Sequence, residues 1–267
     1  SGRLALIPTD GLEEKLCYEF RCRAENGRNV LVYINAQTAE EEQILILVES
    51  KSGTLTVYSR RIKKMSDFRN SKTKDNLMRA FAGESQARNR YTMAEEKARQ
   101  QKLYVLADLF KFTADQEKVH AKIFYEHLKE LSGESVFVDG GYPVDISEDM
   151  CTLLGMADHN ERQESEDVYP AFAEVARQEG YGKIAQDFTN IAKIENVHGK
   201  RFSAFGKLMK EGKLFSSSQS ETWVCLNCGY IVEGTQAPER CPVCGEAQGY
   251  YIRLSMASWG SNCNCDK

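Results

Sequence analysis

Glu117-Lys118-Val119-His120 recurs as Glu195-Asn196-Val197-His198, and this repeat constrains the chain more than any other feature. Residues three apart on a helix are neighbours on one face, so each copy sets a carboxylate beside an imidazole. Upstream of each copy stands another glutamate on a helical pattern, Glu84 in the first half and Glu161 in the second. All four glutamates fall within apolar stripes stepping by three and four residues. These are Leu77-Phe81-Glu84-Arg88-Tyr91, Leu106-Phe110-Thr113-Glu117-His120-Phe124, Leu154-Ala157-Glu161-Glu164-Val168-Phe172 and Ile184-Phe188-Ile191-Glu195-His198-Phe202. A single Glu-x-x-His on an amphipathic helix is ordinarily a solvated surface pair. Four carboxylates planted among Phe, Leu and Ile would each cost several kcal/mol if buried bare, so bound cations are expected. An oxygen-rich set with two imidazoles suits a dinuclear iron or manganese site, and zinc also fits.

Glu164, three residues after Glu161, gives the second half an extra acid for which the first half has no counterpart. Tyr91 and Tyr169 lie on or near the same inward face. There they either pack as plain core or hydrogen-bond a ligand carboxylate and relay protons.

The stripes predict four helices, over about 73–100, 103–131, 147–179 and 181–211, with Ser132-Gly133 and Gly180 as stops. Residues 133–146, with Gly140-Gly141 and Pro143, form the long connection that a bundle needs if its second and third helices run parallel. The expected organisation is a small β-rich appendage over 1–58, a linker over 59–72, a four-helix bundle over 73–211, a tether over 212–220, a four-cysteine module over 221–254 and a tail over 255–267. The fold class is therefore mainly α.

Cys225-x-x-Cys228 and Cys241-x-x-Cys244, each followed by Gly, can bring four thiolates around one ion. Spacing alone puts zinc ahead of iron; attached to a dinuclear iron bundle, a single electron-transfer iron becomes the expectation. Cys17, Cys22 and Cys151 lack partner spacing and read as ordinary thiols. Cys263 and Cys265 fall in the tail, and His127 and His159 read as surface or supporting residues.

Residues 1–58 differ in character. The runs 16–20, 30–34, 44–48 and 54–57 are β-prone, with Asn26-Gly27 and Ser52-Gly53 as turns, which predicts three or four antiparallel strands and part of a helix near Leu12. Residues 16–57 resemble the C-terminal end of the PepSY-type domain of a spore-germination protein. The basic stretch 58–64 then leads to Met65, which reads like a natural start. The net charge of −4 and the absence of a Lys/Arg block give no reason to expect nucleic acid. The longest aliphatic run, Ile44 to Val48, is too short to span a membrane. With no secretory signal, the expected compartment is the cytoplasm.

Residues 65–254 resemble the rubrerythrin family. The resemblance is carried by Phe81-Ala82-Gly83-Glu84-Ser85-Gln86-Ala87-Arg88-Asn89-Arg90-Tyr91, the two Glu-x-x-His pairs, Glu161-x-x-Glu164, Tyr169-Pro170 and the four cysteines. It implies a ferritin-like bundle with a di-iron site, followed by a one-iron rubredoxin-like domain. By the family pattern Glu84, Glu117, Glu161, Glu195 and His198 ligate the irons. Glu164 and His120 would be alternative ligands to one iron, favoured when oxidised and when reduced respectively. The implied activity is reduction of hydrogen peroxide to water, in a head-to-tail homodimer. Electrons would come from a rubredoxin or an NAD(P)H-dependent reductase, which must be another protein because no Gly-rich dinucleotide fingerprint is present. The competing readings are a ferroxidase, which the appended cysteine module argues against, and a non-enzymatic zinc-ribbon binding protein.

Overall fold

Residues 2–8, 14–23, 27–37, 41–50, 53–59 and 67–257 are described by the computed structural model of the chain, which divides into two units, Ser1–Met65 and Ser66–Lys267. The first is an antiparallel meander of β1 (Arg3–Pro8), β2 (Glu14–Arg23), β3 (Asn29–Asn35), β4 (Glu41–Ser50) and β5 (Gly53–Ser59). Register pairs Leu4 with Tyr18 and Leu6 with Leu16, and these four share a largely exposed face. Ile7, Cys17 and Tyr33 are buried on the other face. Glu19 is nearly buried there, accepting hydrogen bonds from Arg3 Nε at 2.6 Å and the Tyr33 hydroxyl at 2.8 Å. The sheet has one strand more than the three or four expected. β1 escapes the period-two pattern because Leu4-Ala5-Leu6-Ile7 is apolar without alternation. The expected helical turn near Leu12 lies outside the described residues.

The second unit opens with α1 (Lys72–Gln100), whose N-cap Ser71 accepts from the Lys74 N–H at 3.0 Å. A three-residue link, in which Lys102 takes φ 59°, turns the chain into α2 (Tyr104–His127). Asp149 caps α3 (Met150–Gln163) by accepting from the Cys151 and Thr152 N–H groups. Gly180, at φ 92°, separates α4 (Tyr169–Gln178) from α5 (Gly182–Lys210). The start of α1 meets the end of α4, where Lys72 and Thr73 donate backbone N–H groups to Glu179 at 3.0 and 2.8 Å. The end of α1 meets the start of α3, where Lys97 Nζ reaches Glu148 at 2.5 Å. His127, ending α2, contacts Asp187 near the start of α5 at 2.8 Å. So α1 is antiparallel to α3 and α4, α2 runs parallel to them, and residues 132–149 cross over without helix or strand.

The third helix departs from expectation. It is not continuous from 147 to 179: a π-helical turn, Glu164–Val168, separates α3 from α4. Pro170 supplies the reason. It has no N–H to give the carbonyl four residues back, and its ring crowds that carbonyl, so the preceding turn widens instead of continuing the α-helix. Such π-bulges concentrate at functional sites.

Two apolar cores fill the bundle. Leu77, Phe124, Tyr169 and Phe188 pack in one, and Tyr91, Leu106, Phe110, Leu154 and Phe202 in the other. The second core continues into Val224 and Ile252 of the four-cysteine module. That module is a three-stranded sheet of β6 (Ser216–Cys225), β7 (Ile231–Gln236) and β8 (Tyr251–Arg253), in order β7-β6-β8. Stretch 212–220, expected as a tether, is strand from Ser216, which pairs with Gln236. The expected tail also begins later than residue 255, because Ala257 is buried and Met256 packs against the core; Cys263 and Cys265 lie outside the described residues. Among the described residues no helix is long and apolar enough to cross a membrane.

Candidate metal centres

The repeated helical spacing delivers its carboxylates and imidazoles to one layer between the two apolar cores. Glu84 comes from α1, Glu117 and His120 from α2, Glu161 from α3, and Glu195 and His198 from α5. All six are at most 4% exposed. Their ligand atoms form two groups, Glu84-Glu117-His120-Glu195 and Glu117-Glu161-Glu195-His198, each with its atoms within 4.8 Å of one another. Glu117 and Glu195 belong to both. The two imidazole rings lie near-parallel, with centroids 5.7 Å apart.

His120 Nδ1 stands 3.1 Å from Glu117 and 2.9 Å from Glu195; His198 Nδ1 stands 3.0 Å from Glu117 and 2.8 Å from Glu195. The His120–Glu117 contact is a hydrogen bond; the other three close approaches are not. Glu84 Oε2, Glu117 Oε1, Glu161 Oε2, both oxygens of Glu195 and His198 Nδ1 are buried without a hydrogen bond of acceptable geometry. Buried polar groups are normally satisfied. Six unsatisfied atoms in one spot, all oxygen or imidazole nitrogen, are the donor set that two hard or borderline cations require. The residues fit a dinuclear centre.

The outward atoms are held. Tyr169 donates its hydroxyl hydrogen to Glu84 Oε1, and Tyr91 donates to Glu161 Oε1. Both tyrosines pack in the core and also bond a cluster carboxylate. His198 Nε2 donates to Gln116 Oε1 at 2.9 Å, which leaves Nδ1 as the ring nitrogen able to turn a lone pair to a cation once its proton is displaced. Gln116 is a functional contact that spacing did not single out; only its place beside Glu117, one residue earlier on α2, hints at it.

Charge in this layer follows burial. Desolvation drives the carboxyls of Glu84 and Glu161 well above the usual range, and neighbouring carboxylates add to it. At Glu117 burial pushes the same way, but the hydrogen bond with His120 and the nearby His198 imidazole overcome it and hold the carboxyl low. Burial opposes a charge on His198, yet the surrounding carboxylates raise it to about 12. Without a cation the cluster thus captures protons, which metal ions would displace.

Glu164 stands apart from both groups. It opens the π-helical turn and is half-buried as a residue. Its carboxyl end is nonetheless desolvated, and burial together with the charge of Glu195 and Glu117 pushes it up to about 8. The carboxylate lies against Gly83, where an added β-carbon would come within 4.0 Å of it.

The second candidate centre is built from two reverse turns. Gly229 and Gly245 adopt φ 79° and 75°, and their N–H groups bond back to the Cys225 and Cys241 carbonyls at 2.8 and 2.9 Å. A residue with a β-carbon would be strained there. All four sulfurs lie within 4.8 Å of one another. Burial raises the Cys225 thiol to about 12, whereas at Cys241 hydrogen bonds, including those from the amides of Cys244 and Val243, outweigh burial and lower it to about 6. Trp223 is fully buried behind the site, its indole N–H donating to the Gly234 carbonyl at 2.9 Å.

The rubrerythrin family model matches residues 75–206, and that of the rubrerythrin, rubredoxin-like domain matches residues 223–252. Rubrerythrin of Clostridium perfringens is 43% identical over 188 residues, covering 70% of this chain and 96% of that protein. The chain belongs to the rubrerythrin family. Rubrerythrin of Nitratidesulfovibrio vulgaris is 41% identical over 192 residues, covering 72% of this chain and 99% of that one. Among solved structures, partially reduced nigerythrin aligns over 74% of this chain and all of its own, at 28% identity and a TM-score of 0.47. Like other rubrerythrins, the chain joins a ferritin-like di-iron domain of carboxylate and histidine residues to a rubredoxin-like four-cysteine domain.

Proposed function

We propose that this rubrerythrin reduces hydrogen peroxide to water at the buried layer, with electrons entering through the four-cysteine site. The observation that supports it most is the pair of overlapping residue groups sharing Glu117 and Glu195, in which six buried atoms lack hydrogen-bond partners. In this reading Glu84, Glu117, His120, Glu161, Glu195 and His198 would hold two irons, with Glu117 and Glu195 common to both residue groups. Cys225, Cys228, Cys241 and Cys244 hold a third. When bound, the two bundle irons supply together the two electrons that peroxide cleavage needs.

The chain's own residues do the rest. Tyr91 and Tyr169 fix one oxygen of Glu161 and Glu84 and leave the other facing inward. Gln116 fixes the tautomer of His198. Phe124 and Phe188 on one side, and Phe110 and Phe202 on the other, keep bulk water out. Glu164, on the widened turn, is the group able to exchange with His120 as the site changes charge, since a more positive site favours an anionic oxygen over neutral imidazole. Two protons must accompany the two electrons, and the Glu164 carboxyl, whose protonated form is favoured by burial, can present one at its oxygen. The donor in this reading is a rubredoxin or an NAD(P)H-dependent reductase, and the working unit is a cytoplasmic homodimer.

Protein purified without added metal provides the test. The reading expects two bundle irons per chain, a further iron in the cysteine site and visible thiolate-to-iron absorption. Colourless protein with zinc on the cysteines would overturn the electron-transfer half.

A further inference from the structure

Residues 132–149 cross the bundle with no secondary structure, yet one of their side chains is turned against the trend of its neighbours. Val144 and Ile146 are 81% and 84% exposed, while the Asp145 side chain between them is 14% exposed. Asp145 Oδ2 accepts hydrogen bonds from Arg90 Nη1 and, at 2.7 Å, from Asn160 Nδ2. Each donor immediately precedes a residue of the buried layer. Arg90 comes before Tyr91 on α1, and Asn160 before Glu161 on α3. Two bridges therefore join α1 to α3 side by side: Tyr91 to Glu161 within the bundle, and Arg90 through Asp145 to Asn160 beside it.

Arg90 is also a fixed charge next to the layer. Its guanidinium carbon lies 5.6 Å from the Tyr91 ring centroid, Nε is held by Gln86 at 2.9 Å, and its side chain is 12% exposed. A guanidinium so little exposed is weakly screened by solvent, and its field acts on the layer beside it. That field reaches the site only so far as Asp145 leaves it uncancelled.

We propose that Asp145 is a positioning residue of the di-iron layer, which neutralises Arg90 and so sets how strongly the site favours its reduced form. The inference rests on assigning the layer as the iron ligand set. An unopposed positive charge beside the layer favours the less positive, reduced metal pair; an unopposed negative charge favours the oxidised one. The two residues must therefore act with opposite sign and cancel together, which a purely architectural bridge would not do.

Redox titration of the iron-loaded full chain, followed by the bundle-iron spectrum, tests this. Asp145→Asn preserves shape and an acceptor oxygen, and is expected to move the midpoint potential upward. Arg90→Gln is expected to move it downward, and the double variant to return it near the parent value. Iron content is measured on every protein. If the parent fails to hold two bundle irons, the ligand assignment itself falls. With two irons held, a shift of the same sign in both single variants, or none in either, overturns the role of Asp145. A double variant no closer to the parent than the single ones overturns it equally.

Discussion

Glu164 and Glu161 are three residues apart and chemically alike, yet the fold treats them differently. Glu161 is 1% exposed and tied to Tyr91, whereas Glu164 begins the π-helical turn, half-buried and outside both ligand groups. A surplus acid on the inward stripe is visible in the one-dimensional pattern; its displacement is not, because that follows from a local change of helical pitch. The proposed exchange with His120 makes Glu164 matter more to the redox cycle than to metal retention. Glu164→Ala should leave two irons bound, raise the potential of the pair and slow steady-state peroxide turnover on the order of tenfold. Metal analysis with redox titration checks this, and iron loss at unchanged potential would mark Glu164 as an ordinary structural ligand. Gln116 and Asp145 were illegible for a different reason. Each is a polar residue with no distinguishing spacing, and its role arises only when a distant segment meets it.

At the scale of elements, the helices were legible because their stripes repeat over many turns and stop at strong breakers, as at Gly180. The π-helical turn was legible only in principle. Pro170 inside a periodic stretch signals a break, but the apolar stripe carries on past it and hides the change in pitch. Helix ends show a further tertiary device in Glu179, whose carboxylate accepts from the Lys72 and Thr73 N–H groups and the Thr73 hydroxyl, so that the end of α4 caps the start of α1. Burial works against that charge, but these hydrogen bonds prevail and hold the carboxyl below its ordinary 4.5. The stabilisation is therefore full above pH 4.5 and is lost as pH falls through the lowered folded value. Glu179→Gln should cost about 1 kcal/mol at neutral pH, and the difference from the parent should shrink in acid. Denaturant unfolding at neutral pH and near pH 3 measures both; a gap that widens in acid would exclude the cap.

At the scale of the whole molecule, the chain places its two metal chemistries in one unit and its five-stranded sheet in another. Cysteine spacing revealed the rubredoxin-like module but not its attachment. Val224 and Ile252 extend the apolar core of the bundle, and Tyr250 stacks on Tyr104 at 3.9 Å, contacts that join segments far apart in sequence. β1 was missed because its apolar residues do not alternate, and the module's first strand because Ser216-Ser217-Ser218-Gln219-Ser220 has a linker's composition. The central claim is a division of labour in which the cysteine site delivers electrons and the buried layer performs the chemistry. Rapid anaerobic mixing of chemically reduced Cys225→Ser protein with one equivalent of hydrogen peroxide tests it most directly. The account predicts that one round of peroxide is consumed as fast as in the parent, while turnover supported by a protein donor is abolished. Loss of that single round, with both bundle irons retained, would contradict it.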